Sequence, residues 1–114
     1  KFPDGYFDIV TSYILYHEMP AEISNKSVKE AYRILRPDGV FFPIDFYTGA
    51  NEVTKRADLK FRRWWDHRWN DEVWFQEYDN FDMAGAMRQS GFEVDENGPA
   101  AWIGNHNILG TKRA

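Results

Sequence analysis

The sequence predicts an α/β fold in which a parallel strand–helix–strand unit leads to a terminal antiparallel hairpin. Three features carry this. Residues 6–46 read as strand, amphipathic helix and strand, a unit that sets two strands parallel through a right-handed crossover. Val40–Phe46 is almost continuously apolar, as strands covered on both faces are. Phe92–Glu96 alternates apolar and polar residues before an Asn97-Gly98-Pro99 turn and a last apolar run from Trp102 to Thr111.

The elements follow in order. Pro3-Asp4-Gly5 is a turn, and Tyr6–Ser12, rich in β-branched and aromatic residues, is a largely buried strand. Pro20 closes the loop after it. Ser27 and Glu30 have capping-box spacing, so a helix is expected to begin there, or slightly earlier at Ser24 or Asn25. Val28, Ala31, Tyr32 and Leu35 form its apolar face, and Arg33 and Arg36 suit the negative end of its dipole. Pro37 stops it, and Asp38-Gly39 makes a turn with Gly39 in the left-handed region. Pro43 removes a ladder donor from the next strand, so an irregularity is expected there. Residues 50–67 read as a helix, with Val53, Ala57, Phe61, Trp64 and Trp65 on one face and a solvated run of Lys and Arg over 55–63. A further helix over 81–89 is capped by Asp79 or Asn80 and ends at Ser90-Gly91 by a left-handed glycine.

Composition narrows the function. With 114 residues the chain holds one domain with a modest core. Eighteen acidic against 14 basic residues give a net charge of −4, which argues against general nucleic-acid binding. The chain has no cysteine, which excludes disulfides and thiolate chemistry and agrees with a cytoplasmic location. No apolar run is long enough to span a membrane. His17, His67 and His106 lack metal-ligand spacing, so no metal is expected. Asn25-Lys26-Ser27 matches a glycosylation sequon but falls on a helix. The opening Lys1–Gly5 has no initiator Met and reads as the interior of a domain.

Four segments then carry a resemblance: "FPDGYFDIVTSYILYHEMP", "VKEAYRILRPDG", "FFPIDF" and "MRQSGFEV". In this order they resemble the carboxy-terminal half of a class I S-adenosylmethionine-dependent methyltransferase. The resemblance implies a partial Rossmann-like sheet whose strands are equivalent to 4-5-7-6 of the family, with a terminal antiparallel hairpin, over residues 1–114. Asp38 stands where the family usually has Gly, a minor departure, since an Asp-Gly turn does the same geometric work. None of the eight glycines forms the G-x-G turn of the cofactor cradle. The implied parent enzyme uses S-adenosylmethionine and methylates a small-molecule acceptor, largely by aligning the two reactants. This chain alone is expected to be inactive and to bind the cofactor weakly or not at all.

The resemblance also assigns a site. Ligands of open α/β sheets bind beyond the carboxyl ends of the strands. Ser12, Tyr13 and Ile14 are therefore expected along the cofactor, and His17 as a base or substrate-orienting group. The competing reading is that Tyr13, Leu15 and Tyr16 pack and His17 closes the loop. Tyr16, Asp45 and Tyr47 are candidate substrate contacts; alternatively Asp45 satisfies backbone donors. Trp64, Trp65 and Trp69 lie where the family often lids its pocket and are candidates for stacking on the acceptor; the alternative is a satellite hydrophobic cluster. Two other functions stay open: a non-catalytic dimerisation module and an aromatic-rich ligand-binding module. Ile9 and Val10 are expected on an open sheet edge, so the chain is expected to form a homodimer.

Overall fold

The computed structural model describes residues 1–13, 15–46, 61, 64, 65, 68, 81–96 and 105–114, with His17, Phe46 and residues 105–107 described by their backbone. β1 (Phe7–Tyr13) runs parallel to β2 (Leu35–Phe46), and α1 (Ala21–Ile34) connects them. After α2 (Met83–Ser90) come β3 (Glu93–Asp95), β4 (Asn105–Asn107) and β5 (Leu109–Thr111). The sheet order is β1-β2-β5-β3, with β4 also paired to β2. β5 is antiparallel to both β2 and β3, the pairing expected of the terminal hairpin; its Asn97-Gly98-Pro99 turn lies outside the described residues.

α1 begins ahead of all three residues that its sequence offers as caps. Pro20 is the N-cap, extended at φ −66 and ψ 154; a residue without an N–H loses no hydrogen bond there. Ser27 and Glu30 form no capping box. The Ser27 hydroxyl meets that of Tyr16 at 2.9 Å, and Glu30 binds Arg33 with both carboxylate oxygens. The Arg33 guanidinium holds the Glu30 carboxyl below its usual 4.5.

The end of α1 also differs from expectation. The helix passes into β2 at Leu35 without a loop, and the Leu35 N–H still bonds Ala31 O. The remaining carbonyls of its last turn need donors from elsewhere. Gly5 N–H reaches Arg33 O at 3.0 Å, and Tyr6 N–H reaches Ile34 O at 2.7 Å. Lys112 Nζ donates to Tyr32 O at 2.8 Å and Leu35 O at 2.7 Å, and lies 4.6 Å from the Tyr32 ring centroid. Arg33 draws in the amino-terminal segment, donating to Phe2 O at 2.6 Å and pairing with Asp4.

β2 bulges where the turn was expected. Phe7 pairs with Leu35 but Ile9 with Val40, so the segment Arg36–Gly39 loops out of the ladder. The left-handed residue is Asp38, at φ 66, and not Gly39. Gly39 is needed for space. A Cβ there would lie 2.9 Å from Arg36 O, 2.9 Å from Leu35 Cδ2 and 3.0 Å from Asp8 O.

The irregularity expected at Pro43 appears on the facing strand. The β2–β4 and β2–β5 pairings share one register, which sets Pro43 opposite Ile108. The ladder breaks at Ile108. A proline without an N–H explains why β4 and β5 are two segments of one line.

The two sheet faces are unlike. Phe41, Pro43 and Asp45 are buried, whereas Val40, Phe42 and Ile44 are half-buried. α1 and α2 share one hydrophobic cluster with the buried face, in which Phe92 packs edge-on to Tyr32 at 5.0 Å and tilted to Phe41 at 5.6 Å. β1 was expected to be largely buried; instead Ile9 is 64% exposed and Tyr13 53%. Among the described residues β1 is the edge strand, hydrogen-bonded to β2 alone in the sheet order, and no described helix covers its outer face. α2 is capped by Asp82, which accepts from Gly85 N–H at 2.9 Å; Asp79 and Asn80 lie outside the described residues. Gly91 ends α2 in the left-handed region at φ 110, as its sequence predicts. Among the described residues no helix is long and apolar enough to cross a membrane.

Two substitutions test these contacts. Gly39→Val crowds the Leu35 side chain and two backbone carbonyls, so it is expected to cost about 1–3 kcal/mol in denaturant melts; Asp38→Gly, which relieves a left-handed non-glycine residue, should not lower the midpoint. Lys112→Met keeps the aliphatic stem but leaves Tyr32 O and Leu35 O without their donor. It is expected to cost about 2 kcal/mol, read as a lower urea midpoint at unchanged slope.

Candidate functional site

The parallel pair brings the carboxyl ends of β1 and β2 to one edge of the molecule. Ser12 pairs with Pro43 and Tyr13 with Ile44. Beyond them, Tyr16–Glu18 form a single 3-10 turn, with Glu18 N–H bonded to Leu15 O at 3.0 Å. His17 is the middle residue of that turn. The turn sits over the last residues of β2, and Tyr16 N–H donates to Asp45 Oδ2 at 2.7 Å.

Burial sorts the candidate residues. Tyr16 is 2% exposed and Asp45 3%. The Tyr16 ring points into the core and its hydroxyl meets Ser27 of α1. Asp45 satisfies a backbone donor, the alternative role its sequence allowed. Tyr13, in contrast, is largely exposed. Ser12, Tyr13, Tyr16, His17 and Asp45 thus share one end of the sheet, where Tyr16, Asp45 and the Ser12 hydroxyl are buried. Trp64 and Trp65 have helical backbone, are about half exposed, and lie outside the core cluster. Their rings are tilted against Phe61 at 5.9 and 6.4 Å. Ile14, Tyr47 and Trp69 lie outside the described residues.

Between β1, the turn and α1 is a cavity of about 230 Å³, lined by Val10, Ser12, Tyr16, Ser27, Ile34 and Phe41 among others. The Ser12 hydroxyl is buried and completes no hydrogen bond among the described residues. It lies near enough to the Tyr16 hydroxyl to influence it. Burial pushes the Tyr16 phenol above its usual 10.0, against the opposite pull of the Ser27 and Ser12 hydroxyls. Among the described residues no cluster of His, Cys, Asp or Glu has the makings of a metal site.

Ser27 and Lys112 are the positions that sequence reading missed. Ser27 resembled a helix cap because its spacing to Glu30 imitates one. A better signal was Ser24, buried at the same helical spacing as Val28 and Ala31: a serine on an apolar stripe marks where α1 faces other protein. No signal marked Lys112, whose partners are about eighty residues away.

The chain matches known proteins in two ways. Residues 1–42 match the model of a family described as a methyltransferase domain. Among solved structures it is similar to the S-adenosylmethionine-dependent methyltransferase SibL in its apo form, at 17% identity and a TM-score of 0.68, over 99% of this chain and 33% of that one. It is similar to an O-methyltransferase family protein from Burkholderia thailandensis, at 18% identity and a TM-score of 0.67, over 96% of this chain and 31% of that one. It is also similar to a SAM-dependent methyltransferase from Thermotoga maritima, at 18% identity and a TM-score of 0.63, over 98% of this chain and 58% of that one. No curated protein matches the chain. The fold is therefore part of the class I S-adenosylmethionine-dependent methyltransferase fold, and the match to the methyltransferase-domain model is confined to residues 1–42. The chain spans about a third to somewhat over half the length of these structures.

The buried phenol gives a pH prediction. A folded-state pKa raised above the unfolded value leaves its contribution intact below pH 10 and removes it as pH rises through the folded value. An ultraviolet titration of tyrosinate should therefore show a late step, from Tyr16, that coincides with loss of the fold. In Tyr16→Phe the late step should disappear.

Proposed function

We propose that the chain is the carboxy-terminal half of a methyltransferase domain whose parent protein transfers a methyl group from S-adenosylmethionine to a small acceptor. One observation carries this reading: the family match over residues 1–42 spans β1, α1 and most of β2, the parallel unit that antiparallel β5 and β3 continue. In this reading β1, β2, the β4–β5 line and β3 correspond to the fourth, fifth, seventh and sixth strands of the family. Ser12, Tyr13 and Ile14 are assigned to one wall for the cofactor, and the buried Ser12 hydroxyl, close to that of Tyr16, is a polar group such a wall can use. The residues present do not fit a whole site, because none of the eight glycines forms a G-x-G turn. The bound cofactor would supply an activated methyl group. His17, on the turn beyond the strand ends, is the base candidate for an acceptor proton. Tyr16 and Asp45 act as supports beneath it, and Tyr47, Trp64, Trp65 and Trp69 belong to the acceptor side.

Calorimetry tests this. The 114-residue chain should bind S-adenosylmethionine no tighter than roughly millimolar, about 4 kcal/mol. A longer chain that supplies a G-x-G turn should bind it in the micromolar range, about 8 kcal/mol. Micromolar binding by the 114-residue chain would show that the cradle is not upstream.

A second reading, a dimerisation module, is favoured by the open edge of β1. The strand has no Pro or Lys to discourage pairing, and its single charge, Asp8, is paired with Arg36. Light scattering after size exclusion would give about twice 13.5 kDa for a homodimer. A sharp 13.5 kDa monomer across a dilution series would dismiss this reading.

A further inference from the structure

The Tyr16–Glu18 turn is too short to hold its own geometry. It is three residues long, Leu15 gives it no side-chain cap, and its closing bond, Met19 N–H to Tyr16 O, is long at 3.4 Å. The first N–H groups of any helical turn lack partners within it. Here the donor of Tyr16 is met from a different element, by the carboxylate of Asp45 near the end of β2.

That carboxylate is in an unfavourable place. Asp45 is 3% exposed, on the same face of β2 as Phe41 and Pro43, in a strand that is otherwise apolar from Val40 to Phe46. A buried carboxylate is tolerated only when its hydrogen bonds compensate the lost water. The turn needs an acceptor. A second anchor, from Tyr16 hydroxyl to Ser27 Oγ at 2.9 Å, ties the ring to α1. Tyr16 is thus held by its backbone to β2 and by its side chain to α1, and His17 follows it directly.

We infer that Asp45 is a positioning residue, a cap supplied by β2 to the turn that carries His17, so that the strand end sets the backbone of the candidate base. What the turn then does rests on the methyltransferase reading; the capping does not. The backbone of His17 would be set before any ligand arrives, as a group acting through alignment requires.

Two measurements on the 114-residue chain test the inference without cofactor or acceptor. In the unmodified chain, nuclear magnetic resonance should show a coupling across the hydrogen bond from the Tyr16 amide nitrogen to the Asp45 carboxyl carbon. Its absence overturns the cap. Next, amide exchange is compared in Asp45→Asn, which keeps an acceptor oxygen, and Asp45→Leu, which keeps the volume and removes it. Exchange at Tyr16 should rise roughly tenfold or more in the Leu variant and much less in the Asn variant. The backbone shifts of His17 should move in the Leu variant and return toward their original values in the Asn variant. Unchanged Tyr16 exchange in the Leu variant, or equal acceleration across β1 and α1, overturns the inference. Because no cofactor is involved, these outcomes are independent of whether a longer chain binds S-adenosylmethionine.

Discussion

The structure depends most on how α1 ends. A helix that turns straight into a strand has no loop in which to satisfy its last carbonyls, and unpaired carbonyls away from water are costly. Here the donors come from both termini of the chain: Gly5 and Tyr6 from one, Lys112 from the other. Meeting that need places the strands. Gly5 and Tyr6 lead directly into β1, so bonding α1 aligns β1 beside β2. Lys112 follows β5, and its backbone bonds Gly39 O at 2.9 Å while its carbonyl accepts from Asp38 N–H. One set of bonds around the helix end therefore fixes the register of three strands and accounts for the bulge at Arg36–Gly39.

From that end the rest follows in layers. The parallel pairing carries β1 and β2 to a common carboxyl edge, and the candidate site forms there because loops beyond such edges are free to vary while the sheet stays rigid. The helices cover one face, so the residues that alternate inward along β2 are buried and those that alternate outward are not. Asp45 falls on the inward set. Its burial follows from strand periodicity, and its tolerance follows from the donor that Tyr16 offers.

Much of this was legible in the sequence. The strand–helix–strand order, the closing hairpin and the glycine exit of α2 at Gly91 follow from periodicity and turn chemistry, which act within a few residues. Pro43 was rightly marked as a disturbance, although its effect falls on the partner strand at Ile108. The start of α1 was misread because Ser27 and Glu30 have the spacing of a cap, while each finds a stronger partner in Tyr16 and Arg33. Asp and Gly both tolerate the left-handed conformation, so local sequence does not separate Asp38 from Gly39; in the structure Asp38 adopts it, and Gly39 answers to the close approach of Asp8 O and Leu35.

The sequence by itself determined the class of the fold, the end of the sheet that carries the candidate site, and the residue types gathered there, because these depend on local patterning and on the order of elements. Only the tertiary structure decided which of those residues face inward. Tyr16 and Tyr13 are the same residue type in the same short stretch, yet one is buried against Ser27 and the other largely exposed. The difference arises from contacts made across long chain separations, with α1 on one side and the end of β2 on the other. Local sequence does not encode such contacts, since their free energy is released only when distant segments pack.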